Sequence, residues 1–78
     1  MRVITAGDAG SDFGKAELSF WHVAPGALVE KDADLVEFAD SKNVFVVKAP
    51  ARMRIVRIVA EKSSAVVPTT VLCEGEDA

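Results

Sequence analysis

Sliding the chain along itself by 37 positions lays one half of its apolar pattern over the other. Val29 then falls on Val66, Leu35 on Leu72 and Glu37 on Glu74, while Leu18, Trp21 and Val23 fall on Ile55, Ile58 and Ala60. Each half reads as a strand, a turn, a short apolar contact (Leu28-Val29 or Ala65-Val66), a polar turn and a second strand. A chain of 78 residues has only a thin core to share out. Two halves that each carry one apolar face are satisfied by covering each other. The repeat therefore predicts an all-β sandwich with a pseudo-two-fold axis, in one domain spanning residues 1–78.

Short apolar runs rich in Val, separated by polar turn clusters, point to strands rather than helices. The expected strands are Arg2–Thr5, Glu17–Val23, Leu35–Ala39, Val44–Val47, Met53–Ala60 and Val71–Glu74. No segment keeps a 3.6-residue apolar period over about 11 residues. Met53–Glu61 comes nearest, but its Ile and Val make it a strand. Ala6–Gly14 is Gly- and Asp-rich and reads as an exposed loop, and Ala24-Pro25-Gly26-Ala27 as a Pro-Gly turn. Asp40-Ser41-Lys42-Asn43 separates two apolar strands and reads as a hairpin tip, so Lys42 projects from the outermost point of the domain.

Composition removes several function classes. Cys73 is the only cysteine, which excludes an internal disulfide and a Cys-rich zinc site; no metal site is expected. It reads as a small buried or half-buried hydrophobe. Twelve acidic against nine basic residues make a poor nucleic-acid binder. No apolar run approaches the roughly 20 residues of a membrane span. The first residues hold no apolar signal core, so a cytoplasmic location is expected. One His and no Tyr argue against enzymatic chemistry by the domain itself. His22 is expected to be exposed, and its neighbour Trp21 to pack at the sandwich edge. Glu30, Asp32, Asp34, Glu37 and Asp40 are expected to surround the approach to the tip, as a solvated face or as a recognition surface for a basic partner.

The run Trp21-His22-Val23-Ala24-Pro25-Gly26-Ala27-Leu28-Val29-Glu30-Lys31-Asp32-Ala33-Asp34-Leu35-Val36-Glu37 resembles the W-x-V-x-x-G-D-x-V-x-x-G/D-x-x-L-x-E pattern of lipoyl and biotinyl attachment domains. Lys42 follows, and eight residues later comes Pro50 of Lys48-Ala49-Pro50, which matches the family's spacing from the modified lysine. The alignment runs without gaps from about Lys15 to Glu74. The resemblance implies a barrel-sandwich hybrid, a flattened β-barrel of two small antiparallel sheets. It implies covalent attachment at Lys42, with Asp40, Ser41 and Asn43 forming the tip that the modifying enzyme recognises. Lysines elsewhere, Lys31 foremost, lack the hairpin-tip context.

The implied cofactor is lipoate on Lys42. Biotin is less favoured, because Ser41 and Asn43 stand where biotinyl domains carry methionines and Glu37 leans towards lipoyl domains. The implied role is a swinging-arm carrier, shuttling acyl and reducing groups between active sites of a 2-oxo acid dehydrogenase-type complex. Its implied partners are a lipoate ligase or lipoyl transferase and dehydrogenase or acyltransferase subunits, with the isolated domain monomeric. The alternatives are an unmodified interaction module that docks through its acidic hairpin face, or a biotin carboxyl carrier domain. Met53, Ser63 and Thr69 occupy positions where the family carries glycine, so those turns must be rebuilt or strained. A carrier lysine should be exposed without an ion pair, and Asp40 and Ser41 should fold their side chains onto the hairpin backbone.

Overall fold

A computed structural model describes residues 2–9 and 13–78. Its strands are β1 (Arg2–Thr5), β2 (Ala16–Trp21), β3 (Leu28–Val29), β4 (Asp34–Ala39), β5 (Val44–Lys48), β6 (Met53–Ile58), β7 (Ala65–Val66) and β8 (Val71–Asp77). Met53–Glu61 is strand through Ile58, as its β-branched residues require. The short apolar contacts at Leu28-Val29 and Ala65-Val66 are themselves two-residue strands. Ala6–Ala9 forms a single 3-10 turn where an open loop was expected, and the rest of that stretch, Gly10–Asp12, lies outside the described residues.

The strands form two antiparallel four-stranded sheets, ordered β1-β8-β6-β3 and β5-β4-β2-β7. This is the flattened barrel-sandwich expected from the sequence. The 37-residue offset carries β2 onto β6, β3 onto β7 and β4 onto β8, and β1 occupies the place in its sheet that β5 holds in the other. The match extends to irregularities. The β2–β4 register shifts between Leu18 and Phe20, and the β6–β8 register shifts at the equivalent place, between Ile55 and Arg57. Each bulge inserts one residue and increases local twist, which helps two short sheets wrap a shared core. Val29, Leu35, Val66 and Leu72 are all buried in that core.

The halves also exchange backbone hydrogen bonds. Gly26 N donates to Ile55 O at 2.6 Å, and its equivalent Ser63 N donates to Leu18 O at 2.8 Å. Gly26 has φ +90°, a left-handed conformation that glycine adopts at little cost. Ser63 adopts φ +71° with a side chain in place, so this turn is strained. The other two missing glycines are accommodated differently. At Thr69 the turn is rebuilt: Val67 N donates to the Thr70 hydroxyl at 2.9 Å, and Thr69 keeps a negative φ. Met53 lies fully buried in β6, and Gly75 across the sheet leaves room for it: a Cβ there would run into the Met53 side chain and fall 2.8 Å from Arg54 O. Asp32 also has φ +69°, a conformation that Asp tolerates better than most residues.

Two outcomes follow. Ser63→Gly should raise stability by up to about 1 kcal/mol in urea unfolding, and the equivalent Gly26→Ser should lower it by about the same amount. Cys73 gives the second. It is fully buried, and burial first, then Asp8 and Glu74, pushes its thiol from 9.0 up to about 11. The folded chain therefore holds this proton more tightly than the unfolded chain does. The associated stability is complete below pH 9 and is lost as pH rises towards 11. Cys73→Val should flatten the fall of unfolding free energy across that window.

Candidate functional site

The β4–β5 hairpin follows from two alternating strands. Val36 and Phe38 on β4 and Phe45 and Val47 on β5 alternate towards the core, Leu35 joins them across a register shift at the start of β4, and the pairs Phe38↔Phe45 and Ala39↔Val44 bring the strands to the four-residue tip Asp40–Asn43. Asp40 organises this tip. Its Oδ1 accepts from Lys42 N at 2.8 Å and Asn43 N at 2.7 Å, while Asp40 N donates to Asn43 O at 3.0 Å. A carboxylate accepting two backbone N–H groups is the Asx turn that short Asp-led tips favour. The bond from Lys42 N, followed by that from Asn43 N, holds the Asp40 carboxyl below its usual value. The Ser41 hydroxyl makes no such bond among the described residues, so the expectation for the pair holds for Asp40 alone. Ser41 and Asn43 are both exposed, and Asn43 contributes its backbone rather than its side chain.

Lys42 is exposed at the apex and forms no ion pair among the described residues. Lys15, Lys31 and Lys62 are also exposed and unpaired there, so exposure alone does not single out Lys42. Its distinction is the pinned backbone beneath it. Lys31 instead lies in the turn between β3 and β4. Lys48 is tied to Asp34 at 2.7 Å, a contact that raises its pKa.

The acidic set does not form a continuous field. Asp34 pairs with Lys48, Glu30 with Arg52 at 3.2 Å, and Glu37 with His22 at 3.2 Å, while Asp40 is committed to its own turn. Only Asp32 of the five keeps neither an ion pair nor a side-chain hydrogen bond among the described residues. These exposed pairs contribute little to stability, but Lys48 and Arg52 offset the charge of Asp34 and Glu30 on the surface that docking of a basic partner would use. His22 is exposed as expected, with Phe20 edge-on at 4.8 Å. Trp21 is half-buried, and its indole Nε1 donates to Ala60 O at 2.9 Å.

Beside the tip, an open groove of about 630 Å³ runs between the start of β2, Asp40-Ser41 and the Ser63 turn. Beneath the tip lies a feature that the sequence reading missed. Phe38 and Phe45 stack at 5.3 Å, and Phe13 leans on both rings at 5.0 and 5.1 Å. The placement of Phe38 and Phe45, each two residues outside the tip, was a usable signal; the reach of Phe13 from a loop was not. Among the described residues, no group of three or more His, Cys, Asp or Glu is arranged to hold a metal. No helix there is long and apolar enough to cross a membrane.

No protein-family model matches the chain, and no curated protein matches it. Among solved structures it is similar to the lipoyl domain of the 2-oxoglutarate dehydrogenase complex from Azotobacter vinelandii, determined in solution by NMR. The TM-score is 0.78 at 25% identity, over 99% of this chain and 98% of the other.

The tip geometry predicts a pH response. Because the Asp40 pKa is lowered on folding, the support it lends the tip is complete above 3.8 and is lost as pH falls through the lower folded value. The amide resonances of Lys42 and Asn43 should titrate together, with a midpoint below 3.8, in an NMR pH series. Asp40→Ala should abolish that titration and speed hydrogen exchange at both amides.

Proposed function

We propose, from a fold that is that of lipoyl and biotinyl attachment domains, that residues 1–78 act as one carrier domain, with lipoate attached in amide linkage to Lys42. The domain would serve a 2-oxo acid dehydrogenase-type complex in the cytoplasm. The observation that carries this reading is an exposed lysine with no counter-charge among the described residues, at the apex of a hairpin whose backbone Asp40 fixes.

The residues present fit the group. Acylation needs the neutral amine, and a carboxylate clamped on the ammonium would favour the charged form. Asp40 lies two residues from Lys42, yet its charge is spent on backbone N–H groups rather than on Nζ. The Nζ lone pair is then free to attack an activated carboxyl carbon. The amide C–N bond forms, the activating group departs with the electrons of its own bond, and the ammonium proton is released. Ser41 and Asn43 flank the lysine with small exposed side chains that leave an enzyme room to approach.

When bound, a lipoyl group supplies a dithiolane that takes up an acyl group and electrons. The domain itself holds and presents it, raising its effective concentration at each partner active site. The catalytic work falls to the partners: a lipoate ligase or lipoyl transferase for attachment, and dehydrogenase and acyltransferase subunits for turnover. The tip lacks the methionine flanks of biotinyl domains, which places lipoate ahead of biotin.

Co-expression with a lipoate ligase should add one lipoyl increment to the intact mass, mapped by peptide sequencing to Lys42. Lys42→Arg should remove the increment, because a guanidinium stays protonated. The same change should shift the melting temperature by no more than about 2 °C, as expected of an exposed tip. Ser41→Asp, which restores the lipoyl-domain residue beside the lysine, should speed modification. An unchanged wild-type mass, or a label on another lysine, would overturn the assignment.

A further inference from the structure

Three of the chain's four phenylalanines converge beneath the Lys42 tip. The pseudo-two-fold makes this concentration informative, because the equivalent place in the other sheet is built without aromatic residues. The position equivalent to Phe38 is Gly75, and that equivalent to Phe13 is Pro50. The fold can therefore close without an aromatic plug, and the plug is specific to the end that carries the lysine.

The hairpin has reason to need it. β5 is an edge strand whose only strand partner is β4. A two-stranded ribbon holds its end weakly unless its apolar face packs on something else. The Asx turn fixes the backbone at the apex but does not fix the apex relative to the body. Phe38 and Phe45 are buried directly opposite each other, in the pair next below Ala39↔Val44. Phe13, half-buried, touches both strands of the ribbon through these rings. It comes from the segment before β2, in sequence far from the hairpin, and β2 is the strand that anchors β4 on its other side. The 3-10 turn Ala6–Ala9 of the same connection packs against β5.

We propose that Phe13 is a positioning residue for modification of Lys42: it braces the hairpin against the body, so that a ligase meets the lysine in one fixed orientation. This rests on the carrier reading above. Without the brace the tip samples several orientations, and only the competent fraction binds. The apparent affinity falls by that fraction, while the rate of the bound complex is kept.

The test uses the full chain with a purified lipoate ligase, ATP and lipoate, followed by intact-mass kinetics. Phe13→Ala should raise KM for the domain about 5- to 10-fold with kcat within about 2-fold. Phe13→Tyr should restore the wild-type KM, because a half-buried ring leaves its edge room for a hydroxyl. Leu72→Val, a core change in the other sheet, should lower the melting temperature without moving KM, which separates positioning from general destabilisation. Amide exchange in the β4–β5 ladder at the Phe38↔Phe45 pair should accelerate in unmodified Phe13→Ala and not in Leu72→Val. If Phe13→Ala does not fold, Phe13→Leu takes its place in both measurements. Equal KM for wild type and the Phe13 variant overturns the proposal, as does equal exchange. If the wild type takes no lipoate, the carrier reading fails, and the exchange comparison alone decides the brace.

Discussion

The structure depends on a reciprocal exchange of backbone hydrogen bonds between its halves. The Gly26 turn of the first half donates to Ile55 in the second, and the Ser63 turn of the second donates to Leu18 in the first. Ile55 N and Leu18 N donate in return to Ala27 O and Ser64 O. Neither half can satisfy its turn without the strand of the other, and buried backbone groups left unpaired are costly. The exchange fixes the two sheets face to face and determines which side chains meet inside. A core built largely of Leu, Ile, Val and Phe then closes around Val29, Leu35, Val66 and Leu72. In a chain this small, that mutual closure substitutes for a disulfide or a metal.

The exposed lysine hairpin lies where the two-fold fails. One sheet ends in the β4–β5 hairpin, and its counterpart ends where β8 and β1 pair as separate segments of chain. The interior follows the same division, with three phenylalanines under the hairpin and Met53 against Gly75 on the other side. The outer faces differ as well. Arg57 pairs with Glu74 on one sheet, whereas Phe20 takes the equivalent position on the other, and Glu37 turns to His22. A fold that needs only symmetry to stand can spend its asymmetry on presenting one side chain.

Much of this was legible in the residues. The repeat is carried by core positions, and core positions obey the alternation that defines a strand, so the paired halves and the tip could be read directly. Strand ends were less legible, and Leu28-Val29 and Ala65-Val66 are too short to show a period at all. The acidic set is largely the solvated face that one reading of it expected, but its pairings were not legible. Asp34 finds Lys48 across the hairpin and Glu30 finds Arg52 from a distant turn, so register rather than local charge decided what remained free. The replaced glycines showed that turns would change without showing how. At Ser63 the backbone itself takes the strained positive φ, whereas beside Thr69 the Thr70 hydroxyl caps the turn and φ stays negative.

The pairing of the chain ends has a mechanical consequence. Arg2 lies opposite Gly75, and its guanidinium meets Asp77 at 3.0 Å, so the polypeptide enters and leaves the fold side by side. Tension applied between those ends loads the β1–β8 ladder at one extremity and peels its bonds one at a time instead of shearing them together. The force required is that of a single rung, and the first element to yield is β1, an edge strand with no neighbour beyond β8. The lysine hairpin belongs to the opposite sheet, outside that load path. A pull on the two ends would fray β1 before it disturbed that hairpin.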